Sequence, residues 1–232
     1  MNEKCSDFRL FYHCDVFVLV MWIKSIKIFN VNFLAAFQIL HLQTMTRLIL
    51  SEKQMGITIQ RMCHQLVENH DDFSNSCIIG LQPRGIFLSK RIVQHLQKWN
   101  PKNKLKYGAL DITFYRDDYR RSEKLLVPSR TDIDFVVEGK KVILVDDVLF
   151  TGRTIRAAMD ALLAFGRPEK VELLVLIDRK FSRHLPIEPD YTGDAIDSID
   201  SDKVNVEWKE NGKEDGVWLV SKSKSNATKT KR

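Results

Sequence analysis

Hydrophobic and polar positions change period several times along this chain. From Ser51 the spacing is helical: a serine at the cap, Glu52 in the first turn, then Ile57, Met62, Leu66 and Val67 on an apolar face running through Glu68. Short apolar runs then alternate with amphipathic stretches. Residues 77–81 read as a strand, 86–97 as a helix and 110–115 as an alternating strand. Residues 142–145 are a fully apolar strand, 154–165 a helix stopped by Gly166 and Pro168, and 171–177 another buried strand. Uninterrupted apolar strands fit where both sheet faces are covered, and strands alternating with helices call for right-handed crossovers. The pattern therefore predicts an α/β fold with an open, twisted, mainly parallel sheet and helices on both faces.

Two flanks depart from this pattern. Residues 1–44 carry apolar patches at 16–23 and 28–42, interrupted by Asp15, Lys24 and Lys27. Neither patch reaches the roughly 20 apolar residues of a membrane span, and no small-residue cleavage site follows a basic-then-apolar order. Three readings stay open for this extension: a membrane-associating segment, a poorly ordered appendage, or sequence upstream of a physiological start at Met45, which is favoured because the patterned region begins right after it. Residues 221–232 carry Lys222, Lys224, Lys229, Lys231 and Arg232 with no acid, and read as a basic disordered tail. The domain is expected over 45–220.

Charge then changes the picture of partners. Of the net +6, the tail holds five charges and residues 1–44 hold one, so the segment between has no excess to attract nucleic acid, and any RNA contact needs a local basic face. Cys5, Cys14, Cys63 and Cys77 lack zinc or disulfide spacing, so a reducing cytoplasm fits best; with neither apolar patch long enough to span, no membrane partner is expected.

The segment carrying chemistry is V-I-L-V-D-D-V-L-F-T-G-R-T, residues 142–154. Val142, Ile143, Leu144 and Val145 bring Asp146 and Asp147 to the carboxyl end of a buried strand, the edge of an open α/β sheet where ligands bind. Val148, Leu149 and Phe150 lead into Thr151, Gly152, Arg153 and Thr154, where hydroxyls and helix-start amides offer a cradle for a phosphate monoester. Two carboxylates one short loop from a phosphate cradle suit a ribose 5-phosphate, with the acids accepting from the 2- and 3-hydroxyls. A nucleoside triphosphate loop needs a lysine after its glycine and a dinucleotide fold needs G-x-G-x-x-G; both are missing. A lone acid pair would more often end a strand in solvent, but the full thirteen-residue pattern outweighs that reading.

This pattern closely resembles the phosphoribosyl-pyrophosphate motif of type I phosphoribosyltransferases. Such enzymes hold pyrophosphate on a loop after the first strand, where this chain has Gln82, Pro83, Arg84 and Gly85. The charged, Pro128-containing connection over 116–137 is long enough to be a lid, with Arg116 closing over the pyrophosphate. The resemblance narrows through G-A-L-D-I-T-F-Y-R-D-D (108–118), D-A-L-L-A-F-G-R-P (160–168), I-G-L-Q-P-R-G-I-F-L-S-K-R (79–91) and D-R-x-x-x-R-x-L-P-I (178–187). Together these are similar to the PyrR family of bifunctional pyrimidine operon regulators and uracil phosphoribosyltransferases, from about Leu48 through Val220.

The resemblance implies a type I phosphoribosyltransferase fold with a small C-terminal hood. It implies transfer of a phosphoribosyl group to uracil, forming UMP and pyrophosphate, with Mg²⁺ bound mainly through the donor's oxygens. Residues 151–154 would hold the 5-phosphate, Asp146 and Asp147 the ribose, Pro83, Arg84, Gly85 and Arg116 the pyrophosphate, and Ile177, Asp178 and Arg179 the uracil. Catalysis would rest on Asp146, Asp147 and Arg116. It also implies a homodimer or higher oligomer that binds the leader of a pyrimidine operon messenger RNA when UMP is bound, through Arg61, His64 and Arg183. Glu188 stands where relatives often carry a base, and one residue is inserted around 180–183. A purine phosphoribosyltransferase without RNA binding and an RNA-binding regulator without turnover are the competing readings.

Overall fold

A computed structural model describes residues 45–101, 105–117, 128–199 and 201–221. The N-terminal extension, the basic tail beyond Ser221 and the middle of the charged connection (118–127) lie outside those residues. Two sheets organise what is described. The larger is five-stranded, in the order β3-β2-β4-β5-β6, from β2 (Ser76–Leu81), β3 (Lys106–Leu110), β4 (Lys141–Leu149), β5 (Lys170–Lys180) and β6 (Tyr191–Asp197). Every neighbouring pair in it is parallel. The smaller has the order β1-β8-β7, from β1 (Met45–Leu50), β7 (Lys203–Glu207) and β8 (Gly216–Ser221), with β7 and β8 antiparallel. The hood is thus built from both ends of the domain, since β1 precedes the first helix.

The apolar runs serve two cores because side chains alternate across a strand. Ile78, Ile143, Val145, Leu174 and Leu176 face α1 (Glu52–His70) and α2 (Gly85–Trp99), where Met55, Ile59, Leu66, Leu88 and Ile92 meet them. Their neighbours Cys77, Ile79, Val142, Leu144, Leu173 and Val175 face Ile155, Ala157, Ala158, Ala161 and Leu162 of α3 (Arg153–Leu162). Helices therefore cover both faces, as the apolar pattern requires.

Local signals held in part. Gln54 Oε1 accepts from Ser51 N at 2.9 Å and Ser51 Oγ at 2.7 Å, tying down the start of α1. The buried face of α1 is Met55, Ile59, Met62, Cys63, Leu66 and His70, so Met62 and Leu66 point inward while Ile57 and Val67 are exposed. The alternating segment 110–115 is not a strand. β3 ends at Leu110, and Asp111 turns the chain by accepting from Thr113 N at 3.0 Å and Ser129 N at 2.8 Å, leaving a 3-10 turn at Thr113–Tyr115. The helix expected over 154–165 ends at Leu162 and tightens into a 3-10 turn, Leu163–Phe165. The far arm of the charged connection is anchored: Asp132 bridges to Ala109, Ile133 and Phe135 pack on the core, and Val137 is fully buried.

At the amino ends of the central strands lies a buried polar cluster. His70 bonds Ser76 Oγ at 2.8 Å and Glu172 Oε2 at 2.9 Å, and Glu172 also accepts from Tyr191 OH at 2.8 Å and Lys170 Nζ at 2.7 Å. Cys63 and Cys77 are free and buried, and burial pushes their thiols up to about 12 and about 11, which keeps them protonated and unreactive. No helix of the described residues is long and apolar enough to cross a membrane.

Candidate functional site

The parallel order brings the carboxyl ends of β2, β4 and β5 to one edge. There a cleft of about 840 Å³ opens, the expected place for a ligand in such a sheet. Its floor comes from the end of β4 and the turn into α3: Asp146, Val148, Leu149, Phe150, Thr151, Gly152, Arg153, Thr154 and Ile155. Gln82, Pro83 and Arg84 enter from the β2–α2 loop, Arg116 and Asp117 from beyond β3, Arg179 from the end of β5 and His184 from beyond it, and Asp202, Lys203 and Val204 from the edge of the small sheet.

The turn at 150–154 is shaped for an anion. Gly152 has φ +86, a left-handed backbone that favours glycine, and it caps α3 directly. Arg156 N bonds Gly152 O at 3.0 Å, so the helix begins there and its first-turn amides, which lack intrahelical acceptors, lie beside the Thr151 and Thr154 hydroxyls. Arg153 is ion-paired to Asp117 across the cleft.

The acids lie within β4 rather than after it, for the strand continues to Leu149 and pairs Val148 with Ile177. Asp146 lines the cleft, while Asp147 is only 1% exposed. Burial and the neighbouring Asp147 carboxylate hold Asp146 well above the usual carboxylate range. Burial also raises Asp147, against the pull of the Arg84 guanidinium, whose Nε stands 3.2 Å from Asp147 Oδ2. That contact lacks hydrogen-bond alignment, so Asp147 Oδ2 is a buried oxygen without a hydrogen-bond partner among the described residues. Asp147 itself does not line the cleft.

Several residues read from sequence do other work. Val142, Ile143, Leu144 and Val145 are fully buried and build the strand. Gly85 packs under the site: a Cβ there would meet Val145 O at 2.4 Å, so only glycine lets the start of α2 rest on β4 beside Asp146. Of the three residues assigned to the base, Arg179 reaches the cleft, its guanidinium 3.9 Å over the Phe150 ring and its Nε 2.8 Å from Ser198 Oγ. Ile177 is buried in β5, and Asp178 is ion-paired to Arg183 outside the lining. Arg61 and His64 share an exposed face of α1, where Arg61 bonds the Thr192 and Gly193 carbonyls of β6 and His64 stacks on Trp99 at 4.2 Å. Arg183 is turned inward onto backbone carbonyls.

Gln82, Ile155, His184, Asp202, Lys203 and Val204 line the cleft without having been singled out as site residues. Gln82 sits in the quoted Q-P-R-G loop, where its Nε2 donates to Arg130 O at 2.7 Å. Residues 202–204 belong to no motif, and only the short polar run before the alternating V-N-V-E marked them.

The phosphoribosyl transferase domain family matches residues 46–211. The chain is 40% identical over 179 residues to the bifunctional protein PyrR of Elusimicrobium minutum, covering 77% of this chain and 99% of that one. It is 44% identical over 158 residues to the bifunctional protein PyrR of Caldicellulosiruptor bescii, covering 68% and 86%. Among solved structures, a hypoxanthine phosphoribosyltransferase from Staphylococcus aureus superposes with TM-score 0.56 at 17% identity, covering 79% of this chain and 94% of that one, a likeness of fold.

Proposed function

This chain belongs to the phosphoribosyl transferase domain family and, within it, to the PyrR family, and from that premise we propose that it converts uracil and 5-phosphoribosyl-1-pyrophosphate to UMP and pyrophosphate, and that the same chain regulates pyrimidine-operon transcription by binding the messenger leader when UMP is bound. One observation carries the enzymatic reading. Asp146, the Thr151–Thr154 turn and Arg84 border one cleft, so ribose, 5-phosphate and pyrophosphate each meet groups of matching charge.

In this reading uracil N1 forms a bond to the anomeric carbon as the bond to pyrophosphate breaks and N1 gives up its proton to solvent, with positive charge developing on the sugar. The amides and hydroxyls of 151–154 hold the 5-phosphate, and Asp146 and Asp147 orient the ribose hydroxyls and favour that charge. Arg84 and Arg116 take the pyrophosphate oxygens, while Arg179, held over the Phe150 ring, faces the base. Among the described residues no cluster of three or more His, Cys, Asp or Glu side chains could hold a metal ion by itself. Mg²⁺ would arrive on the donor, held mainly through the donor's oxygens, where it would neutralise the pyrophosphate charge. Arg61 and His64 supply the exposed α1 face proposed for RNA, and a homodimer or higher oligomer in the cytoplasm completes the reading.

Steady-state assays with uracil, hypoxanthine, guanine and adenine test it. UMP formation from uracil alone is expected; turnover of a purine instead moves the chain to another substrate class. Filter binding to the pyrimidine leader with and without UMP tests regulation, and equal weak affinity for scrambled RNA would end that half.

A further inference from the structure

We infer that Arg183 is a positioning residue for donor binding, the back half of the phosphate cradle, rather than an RNA contact; the inference rests on the phosphoribosyl reading of the cleft. An anion site made of backbone needs its N–H groups turned in and its carbonyls turned away. Here three successive carbonyls at the mouth of the turn are captured from behind. Arg183 Nη1 donates to Leu149 O at 3.3 Å and to Phe150 O, and the amides of His184 and Leu185 donate to Thr151 O at 3.1 and 3.3 Å. Those oxygens are held by donors from the 179–187 segment, while residues 151–154 line the cleft and Arg153 N lies 3.5 Å from Thr151 Oγ1.

The same guanidinium reaches Arg179 O at 3.0 Å through Nη1 and Ile187 O at 3.1 Å through Nε, and it is ion-paired to Asp178. It therefore ties the end of β4 to the end of β5, and so the phosphate turn to the strand end that carries Arg179. The neighbouring loop also seals the turn, since a Cβ on Gly152 would lie 3.1 Å from Ile187 Cδ1 and 3.4 Å from Leu185 Cβ. A side chain 22% exposed and bonded to four carbonyls and a carboxylate has few donors left for a phosphate of RNA. A lysine keeps the charge and loses the planar fork that reaches several acceptors at once.

The test compares ligands that carry the 5-phosphate with one that does not. Calorimetry gives the affinity of the wild-type chain, Arg183→Ala and Arg183→Lys for the pyrophosphate donor with Mg²⁺ and for UMP, and kinetics at saturating donor give KM for uracil. Expected for Arg183→Ala is a loss of about tenfold or more in donor and UMP affinity, with KM for uracil within about twofold. Arg183→Lys should recover only part of the loss, and it carries the test if the alanine variant does not fold. Unchanged donor and UMP affinity, or an equal loss for uracil, overturns the inference. Loss of leader RNA affinity with UMP affinity intact also overturns it. No donor binding by the wild-type chain would instead sink the phosphoribosyl reading itself.

Discussion

Arg84 Nε stands 3.2 Å from Asp147 Oδ2, a half-exposed cation set against an acid that solvent scarcely reaches. The two residues come from different strand ends, so this contact joins the β2–α2 loop to the acid pair of β4. It is not a hydrogen bond, so the buried carboxylate oxygen has a charge beside it and no hydrogen-bond donor among the described residues.

Asp147→Asn keeps the shape and removes the charge. Turnover should fall by about 10²-fold or more, while the circular dichroism spectrum and cooperative melting persist, because the strand retains its apolar residues. Global unfolding of the variant would show that the acid is needed for the fold.

Asp146 carries a pH signature. A carboxyl held above its ordinary value in the folded state contributes stability present below the unfolded value of about 3.9 and lost as pH rises through the folded one. Asp146→Asn should therefore melt higher than the wild type at neutral pH, with the gap closing as pH falls toward about 4. Melts from acid to neutral pH that show a constant gap would refute this.

Gly85→Ala places a methyl 2.4 Å from Val145 O and 3.0 Å from Asp146 Cα. Backbone must move, so a loss of about 1–3 kcal/mol in denaturant unfolding is expected, with weaker donor binding because the loop and acid shift together. Unchanged stability and unchanged donor affinity would show that the loop accommodates the methyl freely.

Glu172 stands at the end of the sheet away from the cleft and accepts from His70, Tyr191 and Lys170. Burial raises its pKa, but the bonds from Lys170, Tyr191 and His70 win and hold it below the usual value, so its contribution is present above about 4.3 and lost as pH falls through the folded value. Glu172→Ala should cost about 1–3 kcal/mol at neutral pH by stranding buried partners, with kcat unchanged at a temperature where the variant is folded. A reduced kcat in folded variant would tie this cluster to the reaction.

Chelation separates a donor-borne metal from a resident one. Added EDTA should abolish turnover and leave the melting temperature of the ligand-free chain unchanged, since no described cluster holds a metal. A lower melting temperature would reveal a structural ion.

The sequence by itself determined the layered α/β plan and the succession of acid pair, glycine turn and helix start over 146–154, because both are local. A run such as 142–145 buries both faces wherever it is placed, and Gly152 between two hydroxyls marks an anion turn from its own residues. Only the tertiary structure decided what faces what. Ile57 and Val67 lie outside because contact with the sheet selects the Met55, Ile59, Met62, Leu66 stripe. β3 stops at Leu110 because Asp111 finds Ser129 across the connection. Arg183 turns inward because β4 and β5 end side by side, and residues 202–204 reach the cleft because β7 joins a sheet that includes β1. Periodicity reports which residues seek burial; strand order and register, set by contacts far apart in the chain, fix the partners they find.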